Sequence, residues 1–307
     1  MLAPLTGIVP PLVTPLRDRD ELDVPGLERL LEHVLGGGVS GLFILGTTGE
    51  GPSLSHPLRR ELIGRVCRQV RRRVPILVGI TDTSFVESVS LARHAAETGA
   101  DAVVAAPPYY LPEAQPELQE YLDHLVPELP LPLFLYNMPP LTKVVIEPET
   151  VRRAMDNPLI VGLKDSSGDM EYFRQAAALL PARRDWSLLV GPEEKLAEAI
   201  ALGGHGGVNG GANLFPKLYV RLFEAARNGD AARTRELQAQ VQRVRDSLYR
   251  IGKHSSSLIK GIKCALACLG ICDDFMAEPF HRFRAKERAV VQRRVKELEA
   301  ELTKLKL

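Results

Sequence analysis

Ile160 to Asp169 reads IVGLKDSSGD. Four apolar or small residues run into Lys164, and SSGD then breaks the chain, so the lysine sits where a short strand becomes a loop. A cation there is costly to bury, so Lys164 either pairs with a carboxylate, Asp165 or one across the sheet, or is held neutral. A neutral, desolvated lysine is a competent nucleophile toward a ketone.

The form of this stretch recurs along the chain. Short apolar, β-branched runs ending in Gly, Pro or Thr predict strands at Gly7 to Leu12, Gly41 to Leu45, Ile76 to Ile80, Ala102 to Ala106, Leu133 to Tyr136, Ile160 to Lys164, Ser187 to Val190 and Gly207 to Gly210. Helical periodicity fills the intervals, at Val24 to Leu35, Pro57 to Arg72, Phe85 to Glu97, Gln115 to Val126, Pro148 to Met155, Met170 to Leu179, Lys195 to Ala201 and Phe215 to Arg227. Eight such units in the first 228 residues match an α/β fold of the (β/α)8, or TIM barrel, type. A doubly wound sheet alternates in the same way, but the unusual residues gather at the C-terminal strand ends, where barrels build their sites.

After Asn228 and Gly229 the pattern is helical only, with Ala231 to Tyr249, Ser257 to Leu269 and Pro279 to Leu307 as expected helices. Residues 1–228 therefore read as a catalytic barrel and 229–307 as a C-terminal helical extension packed on the barrel or on a neighbouring subunit. The alternating Arg, Lys and Glu of the last helix read as a solvated face.

Composition narrows the function classes. With 45% hydrophobic and 25% charged residues the chain is ordinary globular material, and a net charge of +1 gives no electrostatic case for nucleic acid. The start, MLAPLTGIVPPLVTP, is interrupted by prolines and lacks a charged leader, so neither a signal peptide nor a membrane span is expected, and the cytoplasm is the expected location. Cys264, Cys268 and Cys272 recur every fourth residue, which suits small buried side chains on a helix face, and no metal is assigned.

Two more strand ends carry chemistry. PLFLYNMPP places Tyr136 beside Lys164, with a phenol that could shuttle the protons of carbinolamine formation and dehydration; the plain alternative is a core tyrosine with one hydrogen bond. GTTGEG allows a tight loop through Gly46, Gly49 and Gly51, while Thr47 and Thr48 present hydroxyls and N–H groups suited to a small carboxylate; the plain alternative is a turn with a helix cap.

From LTGIVPPLVTPL through GTTGEG, PPYY, YNMP and GLKDSSGD to GGVNGGANLFP, the chain resembles the dihydrodipicolinate synthase and N-acetylneuraminate lyase family of Schiff-base lyases, over nearly the whole barrel. The resemblance implies a cytoplasmic homotetramer built as a dimer of dimers. It implies Lys164 as the Schiff-base lysine, Tyr136 as general acid/base, and Thr47 as the relay hydroxyl. Thr48 and Gly49 would hold the pyruvate carboxylate, and Tyr110 would cross a dimer interface to complete the neighbour's relay. Val208 and Gly191 would border the pyruvate pocket.

One position departs from the synthase pattern. Where those enzymes carry an arginine for the carboxylate of aspartate semialdehyde, this chain has Leu141, which supplies no charge-assisted bond. The PPLT segment resembles that of sialic acid lyases, and Glu193 and Glu194 stand where sugar-acid lyases place acidic residues, although KDSSGD departs from the sialic acid lyase pattern. Glu194 is accordingly a candidate contact for substrate hydroxyls, or else a carboxylate at a helix N-terminus.

The expected activity is a class I aldolase that joins or splits pyruvate and an aldehyde without a cofactor. A 2-keto-3-deoxy sugar acid or sialic acid type substrate is expected, with dihydrodipicolinate synthase activity as the alternative. A rival of another class is a non-catalytic barrel that binds a 2-oxo acid, or phosphate at the glycine-rich GGHGGVNGGAN loop.

Overall fold

The leucine- and valine-rich runs become eight parallel strands, buried on both faces because helices cover the outside and side chains fill the inside. The structure, a computed structural model, describes residues 4–305. In chain order the strands are β1 (Gly7–Ile8), β2 (Leu42–Ile44), β3 (Ile76–Gly79), β4 (Ala102–Ala105), β5 (Leu133–Asn137), β6 (Ile160–Asp165), β7 (Ser187–Val190) and β8 (Gly206–Gly207). Each pairs with the next in parallel from β2 to β8, and β8 returns to β1. The seam between β1 and β2 is closed by a parallel bridge from Pro11 to Phe43, with Phe43 N–H donating to Pro10 O at 3.0 Å and Leu12 N–H to Phe43 O at 2.8 Å.

The first strand is shorter than the expected Gly7 to Leu12. Pro10 and Pro11 have no N–H to donate, so the ladder stops and resumes as the isolated bridge. The last strand lies at Gly206–Gly207 rather than starting at Gly207, and Val208 to Gly210 already turn toward the next helix.

Eight helices wrap the strands: α1 (Val24–Gly36), α2 (His56–Val70), α3 (Phe85–Thr98), α4 (Gln115–Leu125), α5 (Pro148–Ala154), α6 (Met170–Leu179), α7 (Leu196–Ala201) and α8 (Pro216–Arg227). Their starts follow local chemistry. Asp23 caps α1 by accepting from Gly26 N–H, Ser55 caps α2 through Leu58 N–H, and Asp169 accepts from Glu171 and Tyr172 N–H to open α6. SSGD therefore ends β6 and caps the next helix within a few residues.

Beyond Asn228 come α9 (Ala231–Leu248), α10 (Ser257–Cys268) and α11 (Ala285–Lys304). The last begins six residues later than the expected Pro279. Arg284 is extended and Phe283 is buried, so the segment after Pro279 is pinned to the body before the helix can start. The expected ends at residues 306–307, and residues 1–3 of the N-terminal stretch, lie outside the described residues. Leu237, Val241, Val244 and Leu248 of α9, Ile262 and Leu266 of α10, and Val291, Val295, Leu298 and Leu302 of α11 join the same apolar cluster as the barrel helices. The C-terminal layer thus shares one core with the barrel. Among the described residues no helix is long and apolar enough to cross a membrane.

A second, smaller apolar cluster fills the barrel itself, with Val9, Phe43, Leu77, Val104, Phe134, Tyr136, Leu189 and Val208 among its members. The site is built on top of this plug.

Candidate active site

Lys164 and Tyr136 are register partners on neighbouring strands. Parallel pairing therefore aims both side chains to the same side of the sheet, into the barrel mouth. The Lys164 side chain is 5% exposed, and its Nζ lies 3.9 Å from the centre of the Tyr136 ring and 4.8 Å from that of Phe43. Burial pushes the ammonium below its ordinary pKa, and the only opposing influence is the Tyr136 phenol.

Asp165, the neighbouring carboxylate in sequence, does not pair with it. Successive strand residues face opposite ways, and Asp165 instead accepts from Asn137 Nδ2 at 2.8 Å, Ser167 N–H at 3.1 Å and Ser167 Oγ at 3.0 Å. Of the two fates open to a lysine at this strand end, the ion pair is not the one adopted.

Tyr136 is buried, and its hydroxyl lies 3.2 Å from Thr47 Oγ1. Burial alone would raise the phenol, but the charge of Lys164 beside it and hydrogen bonds with Thr47 and Ser166 outweigh that and hold it below its ordinary pKa. Lysine and phenol are thus arranged to exchange a proton, with a hydroxyl as the next link outward.

Thr47 and Thr48 stand on the GTTGEG loop after β2, which has no slack. A Cβ at Gly49 would meet Leu12 O at 2.8 Å and one at Gly51 would meet Leu45 O at 2.2 Å, so only glycine lets the loop lie this close to the backbone beneath it. Leu45 and Glu50, neither of them glycine, take left-handed backbone angles to complete the turn. Thr14 Oγ1 donates to Gly49 O at 2.7 Å and fixes the loop from below.

Beside Tyr136 lies a cavity of about 240 Å³ that Thr47, Thr81, Tyr109, Tyr136, Met138 and Leu141 help to line; Lys164 is not among the lining residues. No acidic or basic side chain stands among its lining residues. Leu141, 54% exposed, sits on a short helical turn, Pro139–Thr142, at the rim.

The remaining expected positions are distributed around this centre. Val208 is buried in the barrel plug, its N–H donating to Val190 O at 2.8 Å. A Cβ at Gly191 would meet Ser166 Oγ at 2.0 Å, so the space left there accommodates Ser166, whose hydroxyl serves Tyr136. Tyr110 is not brought to the relay within the protomer: it is 90% exposed, with a φ of 90°.

Glu194 is not brought to the cavity either. It pairs with Arg245 of α9 at 3.3 Å. Glu193 is buried, accepting from Gly211 N–H at 2.9 Å and Tyr219 OH at 2.7 Å, and burial pushes its carboxyl up to about 7.

The model of the dihydrodipicolinate synthetase family matches residues 4–298. The chain belongs to this family. Among its relatives, the probable 2-dehydro-3-deoxy-D-pentonate aldolase YjhH of Escherichia coli is 33% identical over 268 residues, 87% of this chain and 88% of that protein. The 4-hydroxy-tetrahydrodipicolinate synthase of Methanopyrus kandleri is 30% identical over 96% of each chain. A solved structure of dihydrodipicolinate synthase from Bacteroides thetaiotaomicron superposes with a TM-score of 0.94 at 55% identity, covering 97% of this chain and 100% of that one. The structure of E. coli YagE in complex with pyruvate superposes at 0.89 with 28% identity, covering 96% and 98%. As a member of the family, the chain is a carbon–carbon lyase of the class I aldolase kind, on a (β/α)8 barrel.

Several contributors to this family site gave little signal in the sequence. Phe43, which floors the amine, is one apolar residue in an apolar strand. Tyr109 lines the cavity although its neighbour Tyr110 does not, a choice made by the loop backbone rather than by the PPYY motif. Ser166 was legible only as part of SSGD. Glu50 reads as a loop carboxylate, yet it is buried and paired with Lys263, 213 residues further along, at 2.7 Å.

Proposed function

We propose that the protein forms a Schiff base between Lys164 and the C2 carbonyl of pyruvate, and makes or breaks the C3–C4 bond to an aldehyde. The observation that carries this is a buried lysine with no carboxylate partner among the described residues, packed on the ring of a tyrosine at the adjacent strand end.

Neutral Lys164 adds to C2. Tyr136 gives a proton to the carbinolamine hydroxyl, which leaves as water, and the resulting iminium draws electrons from C3. Loss of a C3 proton then gives an enamine that attacks the aldehyde carbonyl carbon, and water hydrolyses the product from the lysine. In the cleavage direction the C3–C4 electrons flow into the iminium and the aldehyde departs.

In this reading Thr48 and Gly49 bind the carboxylate, Val208 and Gly191 border the pocket, and Thr47 links Tyr136 to the outside. Tyr110, exposed on a strained loop, completes the relay of a partner subunit in a homotetramer arranged as a dimer of dimers. The protein acts in the cytoplasm, with residues 1–228 as the barrel and 229–307 as its helical layer.

The uncharged cavity favours an uncharged aldehyde, because a carboxylate taken from water into it would find no cation. Relatives named as 2-dehydro-3-deoxy sugar acid aldolases act on compounds whose retro-aldol cleavage releases pyruvate and a neutral hydroxyaldehyde. A second reading, 4-hydroxy-tetrahydrodipicolinate synthase, is favoured by the 55% identity to the Bacteroides structure and by the Methanopyrus relative.

Borohydride reduction with pyruvate, followed by intact mass and peptide mapping, tests the chemistry. An adduct on Lys164 that vanishes in Lys164→Ala is expected, and no adduct on the wild type would leave a binding barrel. A substrate panel decides the aldehyde: reaction with aspartate semialdehyde alone would establish the second reading.

A further inference from the structure

The Glu50–Lys263 pair stands apart from the other ion pairs of the described residues. Its side chains are 2% and 0% exposed, whereas each other pair has at least one partner more exposed than either. Each end has a second bond. Lys263 Nζ donates to Thr14 O at 2.9 Å as well as to Glu50 Oε1 at 2.7 Å, and Glu50 Oε2 accepts from Ala277 N–H at 2.9 Å. Lys263 lies on α10 and Ala277 on the segment that follows, so both belong to the C-terminal layer. Thr14 leads from β1, and its hydroxyl holds Gly49 O.

We propose that Glu50 and Lys263 are positioning residues that fix the Thr47–Thr48 loop from the C-terminal layer. The layer is therefore part of the catalytic unit rather than only an outer cover. The inference rests on the reading of that loop as the holder of the 2-oxo acid carboxylate.

Energetics and location both favour this role. A buried ion pair is often no more stabilising than an apolar pair of the same volume, so fold stability alone gives little reason for one here. The location gives a reason: Glu50 is two residues from Thr48, and its side chain ties the turn to Lys263 and Ala277 of the C-terminal layer, an anchor added to the one Thr14 supplies from below. A geometric error of about 1 Å in a group that orients substrate can cost on the order of 100-fold, so a loop carrying both the relay hydroxyl and the carboxylate contact requires such an anchor.

Glu50→Gln tests the proposal in the full chain, with thermal melts as a check of folding and pyruvate-dependent C3 hydrogen exchange in D2O as the assay. The expected result is a folded enzyme whose KM for pyruvate rises by up to roughly 100-fold. In a Thr48→Val background the same change should raise KM by less than it does in the wild type, because the hydroxyl contact it orients is already gone. Glu50→Asp keeps the charges paired but shortens the arm by one methylene, and a KM increase is expected there too, so the proposal is tested even if Glu50→Gln does not fold. A folded Glu50→Asp with wild-type KM, or a Glu50→Gln defect confined to melting temperature and active fraction, would overturn it. A wild-type enzyme that neither exchanges the C3 hydrogens nor traps pyruvate would instead break the Schiff-base reading, a different outcome.

Discussion

The molecule buries two lysines in opposite ways. Lys263, fully buried, meets a carboxylate at 2.7 Å and a carbonyl at 2.9 Å. Lys164, 5% exposed, meets two aromatic rings and a phenol. In the first case the ammonium is matched on site by a carboxylate and a carbonyl, which suits an anchor. In the second only the Tyr136 phenol opposes the cost of lost hydration among the described residues, and burial holds the amine below its ordinary pKa, which suits the proposed nucleophile. The same side chain serves structure or chemistry according to what surrounds its last atom.

The contrast is broken most severely by removing the reactive amine. Lys164→Ala is expected to lower the rate of pyruvate C3 exchange on the order of 10^4-fold or more, with melting temperature held or raised. A mutant that retained a tenth of the activity would mean that the nucleophile lies elsewhere.

Next in size is the anchor. Lys263→Met leaves the Glu50 carboxylate buried without a cation and is expected to cost about 3–5 kcal/mol in denaturant unfolding. A loss within about 0.5 kcal/mol would show that water reaches Glu50 and that the two lysines are less different than their burial implies.

Tyr136→Phe sharpens the comparison, since it keeps the ring beneath Lys164 and deletes the hydroxyl. The expected fall in exchange rate is roughly 100-fold or more, with pyruvate trapping by borohydride slowed rather than abolished. Full activity would reduce Tyr136 to a packing residue.

The smallest effect is a pH dependence of stability. The folded Lys164 amine has a pKa below 10.5, so between the two values the unfolded chain holds a proton that the folded chain has released. Stability should therefore rise with pH across that window and lose this contribution as pH falls through the folded pKa. Lys164→Met removes this dependence, and at neutral pH it should be more stable than the wild type. A variant less stable than the wild type would show that the ammonium is well accommodated. The catalytic rate has the same sign, because only the neutral amine attacks, so it should climb with pH and level off below the pKa of a free lysine.

Much of the architecture was legible in the chain. Eight β/α units, the break near Asn228, and the placement of Lys164, Tyr136 and Thr47 at the C-terminal ends of strands all follow from local periodicity and from the rule that barrels gather chemistry at one face. Boundaries were less legible where a distant contact decides them, as with Phe283 delaying the last helix. Glu194 illustrates the same limit at the site: its place after β7 suggested a substrate contact, but Arg245, on a helix some fifty residues further along, takes the carboxylate. Tyr110 illustrates another, since PPYY suggested a relay residue, whereas within the protomer its side chain is exposed and away from Tyr136 and Thr47.

By itself the sequence determined the barrel and the presence of a lysine at the end of its sixth strand, because strand period, turn residues and strand-end position are local properties. It did not determine the fate of either lysine. Lys263 reads, within SLIKGIKCALAC, as an ordinary helical residue, and Lys164, beside Asp165, reads equally as half of an ion pair or as a neutral amine. Only the tertiary structure turned Asp165 toward Asn137 and Ser167 and carried Glu50 to Lys263 across 213 residues. The state of a buried charge depends on which groups lie within a few ångströms, and those groups come from parts of the chain that local sequence does not connect.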